Sequence, residues 1–286
     1  MNGEQLREQL HSGARVYGTH IASVGNPLVT RLIGAAPLDF VFICTEHMPV
    51  DRAETSALCQ QFGAMGISPV VRIAYPCARQ AAMALDAGAD GIVAPYVETV
   101  EEVRELVGAV HYRPIKGRQL RGILDGTRPP CEVTKSFLQR FNRHQYAIIG
   151  IESVAAYENL DALISVPGVD GVFMGPHDLS VSLEVPEQWD SPALIALMED
   201  VIRRCRAAGI GVGVHLHAGI PITQTRRFVE MGMNWILDGA DVTHTLHALR
   251  QRRADLCGST TPVANSTGPR GAATCITPGG HKECCE

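Results

Sequence analysis

Glu152 and Asp178 carry the clearest chemistry in the chain. Glu152 follows the apolar run Tyr146-Ala147-Ile148-Ile149-Gly150-Ile151, and Asp178 follows a second run, Gly171-Val172-Phe173-Met174. If both runs are parallel strands of one barrel, the two carboxylates arrive side by side at the C-terminal rim, where such barrels place their chemistry. Two hard oxygen ligands on adjacent strands point to a divalent cation.

Other strand ends add to this pair. Arg72 closes the run Val70-Val71-Arg72-Ile73, and an arginine ending a buried strand needs an anion. A bidentate carboxylate of a small substrate would serve, and Glu46, Asp90 or Glu152 are internal alternatives. His47, in Cys44-Thr45-Glu46-His47-Met48-Pro49, places an imidazole where it could act as acid or base near neutral pH; the alternative is a structural histidine. Asp178 sits two residues after the Gly175-Pro176 turn, which aims a side chain inward and is assigned to substrate binding; a helix cap is the other reading of Asp178. His215-Leu216-His217 puts two further imidazoles on one face of a strand, suited to a metal or to a polar barrel layer, with a supporting or substrate-gating role favoured over ligation. Asp238 and Asp241 read as loop caps.

The elements that must position these residues alternate. Candidate strands span 16–22, 40–44, 69–73, 91–94, 147–151, 171–174, 211–215 and 235–237, with helix-period segments between most of them. Pro27 begins one helix, Asp51 caps another, and Ala87-Gly88-Ala89-Asp90-Gly91 closes a third. Eight strands with intervening helices predict a closed α/β structure, a (β/α)8 barrel over residues 1–257.

Composition sets the outer bounds. The chain has 286 residues, 45% of them hydrophobic, enough to bury a full barrel core. A formal net charge of -5 argues against nucleic acid or anionic membrane as partners. No apolar run reaches the roughly 20 residues of a membrane span, and the polar first fifteen residues do not read as a secretion signal, so a cytoplasmic protein is expected. Cys44, Cys59, Cys77, Cys131 and Cys205 lack paired spacing and read as reduced thiols.

Two regions break the alternation. The insertion 111–144 is rich in Lys and Arg and is a candidate lid over the rim, with a solvated basic surface as the alternative. The tail 258–286 is rich in Ser, Thr, Pro and Gly and is expected to be disordered; its Cys275, His281, Cys284 and Cys285 lack good zinc spacing and are assigned no function.

The runs Thr45-Glu46-His47-Met48-Pro49, Pro69-Val70-Val71-Arg72, Gly91-Ile92-Val93-Ala94-Pro95, Ile151-Glu152-Ser153 and the stretch from Gly168 to Ser180 resemble the HpcH/HpaI aldolase family, the class II pyruvate aldolases. The resemblance covers nearly everything before the tail. It implies a (β/α)8 barrel, a homo-oligomer (trimer or hexamer) with an exchanged C-terminal helix, and Mg2+, Mn2+ or Co2+ as cofactor. It also implies Glu152 and Asp178 as metal ligands, Arg72 on the carboxylate and carbonyl of a 2-oxo acid substrate, and His47 in the proton transfers. The expected activity is cleavage or formation of 4-hydroxy-2-oxo acids through a pyruvate enolate.

One position departs from that pattern. Many members place an aspartate two residues before the motif's glutamate, where it pairs with the histidine, and this chain has Cys44 there. A thiol supplies no permanent negative charge, so the imidazolium loses a stabilising partner and the base becomes weaker or differently placed. Two other readings follow. Citrate synthase relatives in siderophore biosynthesis condense oxaloacetate with acetyl-CoA, some without a metal, and there Arg118 or Arg121 of the insertion would contact the second, anionic substrate. A catalytically idle barrel that binds a 2-oxo acid would differ in class.

Overall fold

The computed structural model describes residues 1–23, 26–216 and 219–258. Eight parallel strands close into a barrel in chain order: β1 (Val16–His20), β2 (Phe40–Cys44), β3 (Ser68–Arg72), β4 (Gly91–Ala94), β5 (Tyr146–Ile151), β6 (Gly171–Met174), β7 (Gly211–Leu216) and β8 (Trp235–Ala240). The expected (β/α)8 architecture is the observed one. The expected disorder of the tail, with its Cys275, His281, Cys284 and Cys285, lies outside the described residues.

The strands form for the reason parallel strands usually do. Helices cover the sheet, so β2 to β6 are buried at every residue and read as largely apolar runs, with Ser68 and Arg72 at the two ends of β3 as the polar exceptions. Between them run α2 (Pro27–Ile33), α3 (Arg52–Ala64), α4 (Ala78–Asp86) and α5 (Val100–His111). Asp51 caps α3 through Glu54 N, and Thr99 with Glu102 forms a capping box on α5. The later strands are followed by α8 (Val154–Glu158) and α9 (Leu160–Ile164) after β5, α10 (Pro176–Ser182) and α11 (Pro192–Ala207) after β6, α12 (Ile222–Glu230) after β7 and α13 (Asp241–Cys257) after β8. The chain divides into two units, Met1–Thr245 and Leu246–Glu286, so α13 starts in the barrel unit and continues into the second.

The barrel has two differently finished ends. An extra N-terminal helix, α1 (Gly3–Ser12), closes the end where strands begin: Leu6 and Leu10 are fully buried with Phe40, Tyr146 and Trp235 in the interior. Gly211 leaves room for this plug, because a Cβ there would lie 2.7 Å from Leu10 Cδ2. Asp170, 4% exposed, ties the same end together, accepting from His11 Nε2 and Ala147 N at 2.9 Å each and lying 3.2 Å from His111 Nε2.

The insertion folds into α6 (Gly117–Leu124) and α7 (Glu132–Phe141) and belongs to this closed end. Gly108 in the last turns of α5 faces Leu120 and Leu124 of α6, and Asn142 Nδ2 donates to His111 O at 2.9 Å and Arg113 O at 3.0 Å. Arg113 pairs with Asp86 at the end of α4, and Arg7 of α1 donates to Gln145 O. The expected lid over the rim is therefore corrected: a segment inserted after the helix of a β/α unit emerges where strands start, and α6 and α7 sit on the face opposite Glu152 and Asp178.

Candidate active site

At the open end the register brings the rim residues into line. Cys44 pairs with Arg72 across β2 and β3, and Ile151, the residue before Glu152, pairs with Met174 across β5 and β6. Glu152 is 2% exposed. Its Oε2 accepts from Tyr96 N at 3.0 Å, in the loop after β4, where Tyr96 takes a positive φ of 50°. Its Oε1 is buried without a hydrogen-bond partner.

Asp178 lies in the first turn of α10, and no side-chain cap bond forms on that helix, so it is not the cap that was the alternative reading. Both carboxylates converge on Gly175. A Cβ built there would meet Glu152 Oε1 at 2.9 Å and Asp178 Oδ2 at 3.2 Å, so the glycine keeps open the space between the two acids, and Pro176 starts the helix beside it. Burial first, then the neighbouring charges of Asp178 and Glu46, push the Glu152 carboxyl up to about 7 against the opposing pull of Arg72. A buried oxygen that lacks a hydrogen bond and two mutually repelling hard carboxylates are what a divalent cation would satisfy; two protein ligands leave the remaining positions to substrate and water, as Mg2+ commonly has it. Among the described residues no group of three candidate ligand side chains gathers.

Arg72 is buried and held on three sides. Its Nε lies 3.0 Å from Glu46 Oε2 and its Nη1 3.7 Å from Glu152 Oε1. Its Nη2 donates to Cys44 Sγ at 3.2 Å. The Nε–Glu46 contact is close but is not aligned as a hydrogen bond, since both atoms lack a bonded partner. The guanidinium also lies over the rings of Phe42 and Phe173 at 5.7 and 5.8 Å. Burial works against its charge, and Cys44, Glu46 and Glu152 more than offset that, keeping its pKa above the ordinary value. Of the internal anions considered from sequence, Glu46 and Glu152 are in place, whereas Asp90 lies at the other end of the barrel, accepting from Ser68 Oγ at 2.9 Å.

His47 is 64% exposed, with Nε2 3.7 Å from Glu46 Oε2. Glu46 thus stands between His47 and Arg72 and is the nearby carboxylate that the sequence left unassigned once Cys44 replaced the aspartate. The Cys44 thiol accepts from the backbone N of His47 at 3.3 Å, so it fixes the loop rather than the imidazole. Arg118 and Arg121 lie on α6 at the closed end, away from the rim of their own barrel. His215 faces the interior, Nε2 to Gly239 O at 3.4 Å, while His217 lies outside the described residues. Asp241 behaves as the expected loop cap, its Oδ1 accepting from Ala22 N at 2.9 Å.

Two contributors escaped the sequence reading. The Tyr96 amide leaves no side-chain signal. His20 had one: it is an imidazole at the end of β1, and its ring meets Phe42 and His215.

Comparison with known proteins identifies relatives over most of the chain. A family model for HpcH/HpaI aldolase/citrate lyase matches residues 21–248. A hydroxypyruvate/pyruvate aldolase of Agrobacterium fabrum is 27% identical over 92% of this chain and 97% of its own length. A 2-keto-3-deoxy-L-rhamnonate aldolase of Klebsiella pneumoniae is 32% identical over 79% and 83%. Among solved structures, an HpcH/HpaI aldolase from Desulfitobacterium hafniense superposes with a TM-score of 0.73 at 29% identity, covering 87% of this chain and 96% of the other. The citrate synthase SbnG superposes with a TM-score of 0.71 at 26% identity, covering 87% and 96%.

Proposed function

The chain belongs to the HpcH/HpaI aldolase/citrate lyase family, and from that premise we propose that it is a metal-dependent pyruvate aldolase acting on 4-hydroxy-2-oxo acids, with Glu152 and Asp178 holding Mg2+, Mn2+ or Co2+. Carbon–carbon lyase chemistry of the class II aldolase type follows from the family and from the aldolases it resembles. The observation that carries the finer reading is the buried Oε1 of Glu152, which lacks a hydrogen bond, shares the space over Gly175 with Asp178 and lies 3.7 Å from Arg72 Nη1.

The roles divide by chemistry. The cation, when bound, supplies Lewis-acid stabilisation of the 2-oxo oxygen on which negative charge develops. Arg72 takes the substrate carboxylate; its guanidinium, set by Glu46 and Cys44, needs no reorganisation as charge builds. The Gly175-Pro176 turn leaves space for the substrate against the two acids. In cleavage His47 removes the proton of the C4 hydroxyl, the C3–C4 bond breaks to release an aldehyde, and the enolate is protonated at C3 to give pyruvate. Glu46 stabilises the imidazolium while the proton is held.

The citrate synthase reading draws on the likeness to SbnG, but its use of Arg118 and Arg121 finds no support within one subunit, where both lie at the closed end. An idle 2-oxo acid-binding barrel has no positive observation in its favour. We further place the protein in the cytoplasm, consistent with six described cysteines that are free thiols, and no described helix is long and apolar enough to cross a membrane. Assembly as a trimer or hexamer is supported by α13, whose Leu246, Leu249 and Leu256 are exposed.

Proton exchange tests the reading directly. Pyruvate methyl protons followed by NMR in D2O should exchange with Mn2+ present, stop with EDTA, and stop in Glu152→Gln. Exchange that persists in EDTA would remove the metal from the proposal, and absence of exchange would remove the aldolase.

A further inference from the structure

The aldolase reading leaves the second reactant, the aldehyde, without a protein partner, and His20 stands where one is needed. It ends β1 at the open end of the barrel, just past a shift in register with β8. Its ring meets Phe42 edge-on at 5.7 Å and His215 at 6.0 Å. Its Nε2 is shielded from water and has no hydrogen-bond partner among the described residues. Leaving such a nitrogen unpaired is costly, and a buried polar atom left so in a site calls for a ligand.

The surroundings restrict which ligand. Burial pushes the His20 pKa down to about 4, with Asp241 opposing and Arg72 and His47 adding to the fall, so the ring is neutral at ordinary pH. The same three influences show that it lies within electrostatic reach of the carboxylate-binding arginine and of His47. Its position is fixed from behind: Asp241 accepts from Ala22 N at 2.9 Å and from Ser23 N at 3.1 Å, pinning the backbone just past the ring. Arg72, Glu152 and Asp178 come from the β3, β5 and β6 side of the mouth; His20 enters from β1, between the aromatic faces and the open end. A neutral imidazole among rings offers one hydrogen bond and no charge, which suits an uncharged hydroxyl and disfavours a second carboxylate.

We propose that His20 is a specificity-determining residue that hydrogen-bonds, through Nε2, a hydroxyl of a neutral hydroxyaldehyde acceptor. This assignment rests on the aldolase reading. It goes beyond that reading by naming the acceptor class and the side chain that reads it.

The test compares glycolaldehyde with propionaldehyde, which replaces the hydroxyl by a methyl, as acceptors for pyruvate with the full-length Mn2+-loaded protein. The wild type should favour glycolaldehyde in kcat/KM. His20→Leu should lose about tenfold of that preference, and His20→Gln, which keeps hydrogen-bonding capacity, should retain most of it. His20→Phe, which keeps the ring contacts, substitutes should His20→Leu fail to fold. Pyruvate methyl exchange in the same samples reads the donor half alone. An unchanged preference in His20→Leu with exchange intact overturns this proposal and spares the aldolase. A parallel fall in exchange and addition overturns it too, placing His20 on the donor side. A wild type with neither exchange nor addition overturns the aldolase reading, and this one with it.

Discussion

Arg72 Nη2 donates to Cys44 Sγ at 3.2 Å, and the two residues are register partners on β3 and β2. The thiol therefore supports, through this hydrogen bond, the arginine that is proposed to bind substrate. Cys44→Ser keeps an acceptor and should leave KM for the 2-oxo acid within about threefold. Cys44→Val removes it, leaves a buried guanidinium N–H unpaired, and should cost about 1–3 kcal/mol of stability while raising KM more than kcat falls. Urea denaturation beside steady-state kinetics would separate the two; equal behaviour of both variants would deny the thiol this role.

Metal affinity should depend on pH through Glu152. Its carboxyl is pushed up to about 7 in the metal-free protein, chiefly by burial, so protons compete with the cation below that pH. Isothermal titration with Mn2+ should show affinity falling about tenfold for each pH unit below 7 and levelling off above it. The sign for stability is opposite to that of an ordinary ion-paired acid. With a folded pKa above the unfolded one, the metal-free protein loses stability as pH rises from the usual carboxylate range to about 7. Glu152→Gln should lack that loss and bind no Mn2+.

The barrel and its rim were legible because buried parallel strands are largely apolar runs and the residue after each run marks the open end. Edges were less so. β1 was expected to reach residue 22 and stops at His20, because Asp241 takes the amides of Ala22 and Ser23 that would have continued the ladder. β8 was expected to end at 237 and runs to Ala240, because Asp238 and Gly239 break the apolar pattern while Asp238 still pairs with Leu216 on β7. The insertion was placed over the wrong face although its position after a helix already specified the closed end. His20 was passed over because a histidine ending a strand gives no sign of an unpaired nitrogen until its neighbours are known.

His47 should matter for proton movement and little for metal binding. Its imidazole is exposed and its nearby carboxylate is Glu46, not the proposed metal ligands Glu152 and Asp178. His47→Gln should lower the rate of pyruvate methyl exchange by about 10²–10³-fold, within the range of lost acid–base catalysis, with Mn2+ affinity unchanged by titration. Glu46→Gln should produce a smaller loss in exchange, together with a rise in KM, since Glu46 also adjoins Arg72 at 3.0 Å. Matching losses of Mn2+ binding in either variant would place these residues on the metal instead.

The closed end makes a prediction about stability alone. Burial would raise the Asp170 carboxyl, but hydrogen bonds from His11 and His111 outweigh it and hold its pKa below the ordinary value, while His11 is raised by the same bond. The depressed carboxylate contributes stability above its unfolded pKa and loses it as pH falls through the lower folded value. The raised imidazole contributes below its unfolded value, 6.5, and loses that contribution as pH rises through its folded pKa. Stability from this cluster should therefore peak between the two windows, on the acid side of neutrality. Asp170→Asn should flatten both limbs and cost on the order of 2–3 kcal/mol at that peak, read by urea denaturation across pH. Because the cluster lies at the end opposite Glu152, pyruvate exchange measured below the denaturation threshold should be unaltered.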